Sequence, residues 1–285
     1  MSTAIQVFFN SLSTAAIYAM LAIGLTIFLG TLRILNFAQG DFATAGGYTI
    51  FAVVTAFGLS PYLGVIAAMV VGAALGALFF ATVQSPLRAA PQINQLLATF
   101  GLALIIEGIL QFLFTATPKS IPGSHGSIEV LGAYLPTASI VDVVFAAVLI
   151  SALFLLLQRT NLGRGIRAVS QNAIGASLVG VNPRYVSFIV CVIGGVLSAG
   201  AGLVLVTTLF LTPTIGFEQI FKGFTVVVVA GLGNLYRVLI MAALLALTES
   251  ATSYFISEGI GQLAGFVIIV AILLVRPTGL GRVTA

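Results

Sequence analysis

Residues 160–184 read TNLGRGIRAVSQNAIGASLVGVNPR, and this polar stretch lies between two long apolar runs. Together with Arg159 it holds four of the eleven basic residues of the chain and no acidic residue. Lys and Arg accumulate in the cytoplasmic loops of membrane proteins. Because only 6% of the residues are charged, this cluster predicts that the stretch faces the cytoplasm, where it is available to a partner.

The composition on either side of this stretch is that of a membrane protein. The chain has 285 residues, of which 60% are hydrophobic, and a mean hydropathy of +1.20. Soluble domains are about 45 to 50% apolar, and a helix needs about 20 apolar residues to cross the hydrocarbon layer. Stretches of nearly that length recur throughout. We therefore predict an all-α, polytopic transmembrane bundle that forms a single domain over residues 1–285.

Eight spans and one shorter apolar piece are expected. The short piece, residues 224–230, is predicted to continue through Gly231, Leu232 and Gly233 as a broken or re-entrant helix, because irregular backbone at membrane depth needs cover from protein or a cavity. The count is then eight or nine crossings. The eight predicted spans are residues 8–32, 42–59, 63–83, 94–114, 140–157, 185–206, 239–255 and 259–275.

The basic residues also predict the orientation. With residues 158–184 inside, counting crossings in both directions puts the other arginine-bearing ends inside as well and the N-terminus outside. The first residues contain no basic region, so we expect the first apolar stretch to remain as a span and not to be a cleaved signal. The residues expected inside are Arg33, Arg88, Arg276 and Arg282, and those expected outside are Lys119, His125 and Glu129.

No grouping of residues predicts catalysis or metal binding. The sequence has no Gly-x-x-x-x-Gly-Lys-Ser/Thr motif with which to bind ATP phosphates. His125 lies apart from Cys and from any other His, which gives no zinc-ligand set, and no Ser, His and acid converge. Cys191 is the single cysteine and cannot form an intramolecular disulfide. We predict a subunit that is not an enzyme and binds no cofactor or metal, so that any nucleotide energy comes from another chain.

Two segments with Gly and polar residues interrupt the mostly apolar sequence, one in each half of the chain. Residues 36–41 read NFAQGD and residues 212–218 read TPTIGFE. Paired interruptions point to a transport pathway, because half-helix ends present unpaired backbone groups to a solute. Ordinary turns would explain them too, and Asp41 would then be a helix N-cap. The pathway candidates from these segments are Asn36, Gln39, Gly40, Asp41, Thr212, Pro213, Gly216 and Glu218.

Two carboxylates fall inside predicted spans. Glu107 and Glu249 would each cost on the order of 3 kcal/mol if ionised in the hydrocarbon layer, so they are expected to face the bundle or water. We interpret them as further pathway candidates. The alternatives are protonated carboxyl groups bonded to a neighbouring helix or, for Glu249, a position near the outer interface.

Two further patterns concern packing. The Ala-rich centre of residues 160–184, followed by Asn182-Pro183, predicts a short cytoplasmic helix that ends in a turn. Small residues at helical spacing predict close helix contacts inside a membrane. These are Gly72 and Gly76; Gly194, Ser198 and Gly202; and Gly261 and Gly265.

Taken in order, several short motifs resemble the permease subunits of bacterial ABC importers for branched-chain amino acids, of the LivH type. The motifs are Asn36-Phe37-Ala38-x-Gly40 with Gly46-Gly47; Leu162-Gly163-Arg164-x-x-Arg167-Ala168 running to Leu178-x-Gly180; Thr212-Pro213-x-x-Gly216-Phe217-Glu218; Gly231-x-Gly233; and Arg276-Pro277-x-Gly279-Leu280. The resemblance covers nearly the whole chain. It departs from the family at Asn172, where an acidic residue is common, and at Tyr236-Arg237-Val238 and Met241, where small residues usually follow.

The resemblance implies a type II ABC importer-like permease in the bacterial inner membrane, with a cytoplasmic C-terminus. It would pair with a second, similar permease, receive solute from an outer binding protein, and be driven by two cytoplasmic ATPases. Residues 158–184 would then form the coupling segment, with Arg164, Arg167, Asn172 and Gly180 as ATPase-coupling candidates. Leu, Ile and Val are the expected solutes, and urea, short amides or other amino acids are alternatives within such permeases. An ATP-independent secondary transporter or channel, with Glu107 and Glu249 as ion sites, is the rival reading.

Overall fold

A computed structural model of the protein describes residues 2–121, 127–130, 133–231 and 234–275. Over these residues the chain forms eleven α-helices and one β-hairpin. Two of the helices, α1 and α3, continue into single π-helical turns at Phe28–Leu32 and Phe80–Gln84. The helices are α1 Ser2–Ile27, α2 Ala38–Phe57, α3 Pro61–Phe79, α4 Gln92–Phe114, α5 Thr137–Arg159, α6 Asn161–Gln171, α7 Ala173–Leu178, α8 Pro183–Thr208, α9 Ile215–Ala230, α10 Leu235–Phe255 and α11 Glu258–Val275.

The predicted helical membrane bundle is confirmed. Within the described residues, six helical segments are long and apolar enough to cross a membrane: Gln6–Leu32, Pro61–Gln84, Gln92–Phe114, Thr137–Arg159, Pro183–Thr208 and Leu235–Phe255. Helices α2, α9 and α11 occupy the remaining positions at which the sequence predicts a span or a shorter piece. The protein is thus a multi-pass membrane protein.

Among the described residues, the structure contains a β-hairpin that the predicted all-α fold does not include. Strands β1 (Ser127–Val130) and β2 (Ala133–Pro136) pair in antiparallel register within the connection that precedes α5. His125 lies outside the described residues, as do the C-terminal tail with Arg276 and Arg282, and the Gly233 and Arg276-Pro277 parts of the motifs. The predicted positions of these residues remain predictions.

Helix α9 is longer than the sequence predicts. The short piece expected at residues 224–230 is the second half of a continuous helix that begins at Ile215 and ends at Ala230. Glu218 and Lys222 hide the first half from a hydropathy pattern, but they lie one turn apart and form an ion pair of 3.2 Å, which offsets their charges. The helix ends at Gly231, whose φ of 78° stops it, and Leu232 lies outside the described residues.

Helix α2 begins earlier than predicted. Its first residue is Ala38, so Gln39, Gly40 and Asp41 lie in its first turn and not in a connection. The N-cap interpretation of Asp41 is wrong, because Phe37 holds that position. A carboxylate in the first turn of a helix is still favoured by the helix dipole, which explains why this acidic residue does not terminate the apolar helix.

Helix α8 is the centre of the bundle, and glycines set its distance to its neighbours. A Cβ added to Gly72 of α3 would lie 2.4 Å from the carbonyl oxygen of Gly195, and one added to Gly202 would lie 2.3 Å from the amide nitrogen of Gly47 in α2. The small-residue prediction is confirmed at these contacts, because any side chain would push the backbones apart. Cys191, also on α8, is buried as a free thiol.

Helices α4 and α5 lie at the periphery. Only 22% of the apolar membrane-spanning stretch of each helix is buried within the chain, against 78% of the corresponding stretch of α8. Large apolar side chains such as Leu104, Ile109 and Phe112 are more than half exposed along α4. This surface faces lipid or another membrane subunit.

Candidate translocation and coupling sites

The two interrupted segments meet inside the bundle. A Cβ added to Gly40, in the first turn of α2, would lie 2.0 Å from the carbonyl oxygen of Gly216, in the first turn of α9. A Cβ on Gly216 would lie 2.5 Å from Oγ1 of Thr44. The backbones therefore touch, and we call this contact the α2–α9 crossing. Both helices present the positive ends of their dipoles near it.

The crossing lies beside the middle of α1. The side-chain amide of Gln39 donates a hydrogen bond of 3.2 Å to the carbonyl oxygen of Leu21. A Cβ on Gly24 would lie 2.1 Å from Nε2 of Gln39, so only glycine leaves room for this side chain. Helix α2 thus begins part-way along the bundle, which is the geometry expected of a discontinuous helix at a transport site.

Several polar atoms at the crossing are buried without a hydrogen-bond partner. They are both side-chain polar atoms of Asn36, Oε1 of Gln39 and Oδ1 of Asp41. Buried polar groups in proteins are nearly always bonded, so each exception needs an explanation. Atoms that become paired when a solute or water reaches them provide one, and this keeps Asn36, Gln39 and Asp41 as pathway candidates.

The crossing is closed in this conformation. The cavity next to Asn36 measures about 10 Å³, which is close to the lower limit for a single water molecule. Four aromatic rings lie beside it, with centroid separations of 5.7 Å for Phe37–Phe221, 6.4 Å for Phe37–Phe100, 6.0 Å for Phe100–Phe217 and 4.7 Å for Phe217–Phe221. Opening a passage at this point would require α2, α4 and α9 to separate.

Thr212 and Pro213 lie on the connection that leads from α8 into α9. The connection is fixed by Leu211, which exchanges backbone hydrogen bonds of 2.9 and 2.8 Å with Lys119. Pro213 is buried and Thr212 is half-buried. Their place makes them candidates for holding the start of α9 rather than for lining the crossing.

The two carboxylates predicted within spans lie in different surroundings. Glu107 of α4 is half-buried and interacts electrostatically with Asp41. Glu249 of α10 is buried, accepts a hydrogen bond of 2.5 Å from the hydroxyl of Tyr18, and pairs with the ammonium group of Lys222 at 2.6 Å. Lys222 also bonds Glu218, so α1, α9 and α10 are joined by one charged cluster.

This cluster forms part of the wall of a cavity of about 540 Å³ between residues 7–18 of α1, the first turns of α9, the last turns of α10 and the start of α11. The cavity opens at the end of the bundle that the sequence predicts to be outside, and we call it the outer cavity. Its other polar lining residues are Asn10, Thr14, Gln219, Ser250, Ser253 and Gln262.

At the opposite end, the coupling segment consists of two short helices. Thr160 caps α6 by accepting a hydrogen bond of 3.1 Å from the amide of Gly163. A Cβ on Gly163 would lie 2.2 Å from the carbonyl oxygen of Leu157, so the elbow between α5 and α6 requires glycine. The guanidinium of Arg167 bonds the Leu157 carbonyl, and that of Arg164 bonds the side chain of Asn161. Both arginines therefore stabilise the local structure of the coupling segment.

Helix α7 presents an apolar tip. Asn172 caps it, and its Oδ1 accepts hydrogen bonds of 3.0 and 2.9 Å from the amides of Ile174 and Gly175. Gly180 ends the turn with a φ of 86°. The side chains of Ile174, Leu178 and Val179 are 76%, 83% and 77% exposed, and we call these three residues the α7 tip. Large apolar groups gathered on a polar loop are typical of a protein interface.

Comparison with known proteins decides the family. Residues 7–276 match the family described as the permease component of the branched-chain amino acid transport system. The chain belongs to this permease family. The high-affinity permease LivH of Salmonella typhimurium is 27% identical over 294 residues, which cover 98% of this chain and 96% of LivH. The corresponding permease BraD of Pseudomonas aeruginosa is also 27% identical, with the same coverage.

More distant similarities agree with the fold. The ribose import permease RbsC of Escherichia coli is 25% identical over 227 residues, or 78% of this chain and 68% of RbsC. Among solved structures, PsaBC from Streptococcus pneumoniae in complex with Fab superposes with a TM-score of 0.53 at 14% identity, covering 94% of this chain and 91% of that chain. The resemblance to branched-chain permeases predicted from short motifs is thereby confirmed.

Sequence reasoning missed several residues of this permease. Lys222 was hidden in a stretch expected to lie outside any helix, although its spacing from Glu218 is the signal of a helical ion pair. Asp142 is fully buried in α5 and accepts hydrogen bonds from Thr207 at 2.5 Å and Thr208 at 3.4 Å, which ties α5 to the end of α8. The α7 tip was overlooked in favour of the neighbouring arginines.

Proposed function

We propose that this chain is the membrane permease subunit of an ATP-binding cassette importer that carries Leu, Ile and Val into the bacterial cytoplasm. The observation that carries the proposal is the match over nearly the whole chain to relatives named as branched-chain amino acid permeases. The chain is a transport subunit without a P-loop of its own, so ATP is bound by partner subunits.

The proposed assembly contains two permeases, two cytoplasmic ATPases and an outer solute-binding protein, in the bacterial inner membrane with the C-terminus of this chain inside. The second permease, a copy or a relative, would pack on the exposed apolar surface of α4 or α5. The ATPase would receive the α7 tip. The arginine-rich composition of residues 158–184 supports the inner location of this tip.

The coupling segment is built to transmit force. Its tip is exposed, whereas Ile166 and Val169 of α6 are buried against the bundle. Residues of α6 line a cavity of about 460 Å³ together with Gly30 beside α1 and Tyr236 of α10. Movement of α6 into or out of this space would tilt the inner ends of α1 and α10. Such an element can take two positions, and nucleotide binding by the partner selects between them.

In this mechanism the α2–α9 crossing is the barrier. Solute released by the binding protein enters from outside and stays on the outer side of the crossing. The crossing is kept closed by the rings of Phe37, Phe100, Phe217 and Phe221. Tilting of α1 moves the wall on which Gln39 rests and separates the first turns of α2 and α9. Asn36, Gln39 and Asp41 then pair with the passing solute or with its water.

The proposal is tested by uptake into proteoliposomes that hold the complete complex. Radiolabelled leucine, isoleucine and valine should enter only when ATP, the ATPases and the binding protein are all present. A complex with a hydrolysis-deficient ATPase is the control. Uptake of urea or short amides in place of branched-chain amino acids would refute the substrate. Uptake that follows an ion gradient after removal of the ATPases would refute the importer mechanism.

A further inference from the structure

The outer cavity contains a buried ion pair in its wall. Lys222 is 7% exposed and Glu249 is 8% exposed. Removing ions from water costs several kcal/mol each even when they are paired, and replacing a buried ion pair with apolar residues is often neutral or stabilising. With Glu218 included, two carboxylates face one ammonium, so the cluster has an excess of one formal negative charge.

The cluster also leaves one ammonium donor without a carboxylate partner, on an Nζ that lies 5.7 Å from the centroid of the Tyr18 ring. A lysine ammonium has three N–H donors, and Lys222 uses two of them, at 2.6 Å to Glu249 and at 3.2 Å to Glu218. The Glu218 side chain is 46% exposed, against 11% for Glu249, so its carboxylate is the one that a solute can reach. One ammonium donor and one accessible carboxylate therefore lie side by side.

An independent feature points to a ligand at the same place. Gln219 is 4% exposed and lines the outer cavity, yet its Oε1 has no hydrogen-bond partner. A buried amide oxygen without a donor costs about 1 to 3 kcal/mol unless something pairs with it. This oxygen is itself buried, so a rotation of the Gln219 amide toward the cavity would let the N–H donors of a ligand supply the partner.

Part of the remaining wall is apolar. Val7, Ile17, Leu209 and Ile215 also line the cavity. Its volume of about 540 Å³ falls within the usual range for small-molecule sites, which combine apolar walls with a few placed polar groups. The site thus offers a cation, an anion and an aliphatic surface to one small molecule.

We infer that the outer cavity is a receiving site for a zwitterionic α-amino acid. The carboxylate of the solute binds the third donor of Lys222, its ammonium group binds Glu218 and Oε1 of Gln219, and its aliphatic side chain packs on the apolar wall. Glu249 and Tyr18 are positioning residues, because they hold Lys222 from behind. The inference rests on the proposed function and adds where in the permease the solute is first held.

The test is binding of radiolabelled leucine to the complete complex in nanodiscs, without nucleotide or binding protein. Saturable binding in the millimolar range is expected. Leucinamide, which lacks the carboxylate, and 4-methylpentanoate, which lacks the ammonium group, should compete at least tenfold more weakly than leucine. Equal competition by either compound, or no saturable binding by a complex that transports leucine, would overturn the site.

Variants separate binding from folding. Lys222→Met alone leaves Glu249 buried and unpaired and can unfold the bundle, so the informative variant is Lys222→Met with Glu249→Gln, which removes both charges. It should be purified as an intact complex with the unfolding temperature of the wild type but bind leucine at least tenfold more weakly, as should Glu218→Gln. Lys119→Met is the matched control for loss of an outer positive charge and should bind normally.

The result also distinguishes the two proposals. If the double variant binds leucine and takes it up with the wild-type KM, the cluster is only a structural ion pair and the site is refuted, while the proposed function stands. If the wild-type complex transports no branched-chain amino acid, the proposed function itself fails.

Discussion

Gly40 of α2 and Gly216 of α9 are in backbone contact, although they are far apart in sequence and belong to the two interrupted segments. A Cβ on Gly40 would lie 2.0 Å from the Gly216 carbonyl oxygen and 2.9 Å from Cβ of Ile220. Neither atom can yield easily, since one is backbone and the other is buried. The contact therefore sets how closely the two helix N-termini approach, and it makes the crossing the narrowest point of the proposed path.

Replacing Gly40 with Ala should force α2 and α9 apart. Overpacking of a tight contact costs about 1 to 3 kcal/mol, so we expect a lower unfolding temperature of the purified permease complex and a severalfold loss of leucine uptake. Gly101→Ala is the matched control, because a Cβ at Gly101 meets no atom within 4 Å. Equal melting temperatures for the two variants would contradict the close contact.

Much of the bundle is predictable from hydropathy because most of its helices are uniformly apolar. Close helix packing at Gly72 and Gly202 also follows from local glycine spacing, although that spacing does not say which helices meet. The start of α9 could not be predicted, because Glu218 and Lys222 break the apolar run and only their pairing, together with Glu249 from a later helix, makes them acceptable in the bundle. The crossing itself joins residues distant in sequence, and no single-chain pattern reports such a contact.

The coupling segment illustrates the same limit. Its location at a helical loop is predictable from the four arginines and from Asn182-Pro183, and Asn182 indeed caps α8. The role of the arginines is not predictable, because Arg164 and Arg167 bond back to Asn161 and Leu157. Exposure of the α7 tip depends on how α6 is anchored, and the sequence offers nothing to separate an apolar residue that docks on a partner from one that is buried.

The elbow between α5 and α6 should be intolerant of any side chain at Gly163. Ala at this position would place its Cβ 2.2 Å from the Leu157 carbonyl oxygen and 2.5 Å from that of Leu156. We expect Gly163→Ala to displace α6 and to reduce ATP-driven uptake at least tenfold, while the ATPases continue to hydrolyse ATP. Gly175→Ala, whose Cβ would meet only its own cap residue at 3.4 Å, should transport normally. Parallel loss of uptake in both variants would argue against the elbow.

The α7 tip should carry the affinity for the ATPase. Leu178 is 83% exposed, and burying a leucine side chain contributes about 1.5 to 3 kcal/mol, so Leu178→Ser should weaken co-purification of the ATPases about tenfold or more. The folded permease should be unaffected, because the side chain contacts solvent. Ser177→Ala, on the same helix, is the control. Retention of the ATPases by Leu178→Ser would place the docking surface elsewhere.

Asn172 is the N-cap of α7, a position that an aspartate fills equally well. Its Oδ1 accepts hydrogen bonds from the amides of Ile174 and Gly175, and an aspartate oxygen can accept the same two. Asn172→Asp should therefore keep ATPase binding and uptake within about twofold, because Asp and Asn are equivalent caps and the dipole favours the charge. Asn172→Ala should lose the cap, at a cost of about 1 kcal/mol, and weaken ATPase co-purification severalfold by fraying the tip. If Asn172→Asp fails and Asn172→Ala does not, charge at this position acts on the ATPase directly and the capping explanation is wrong.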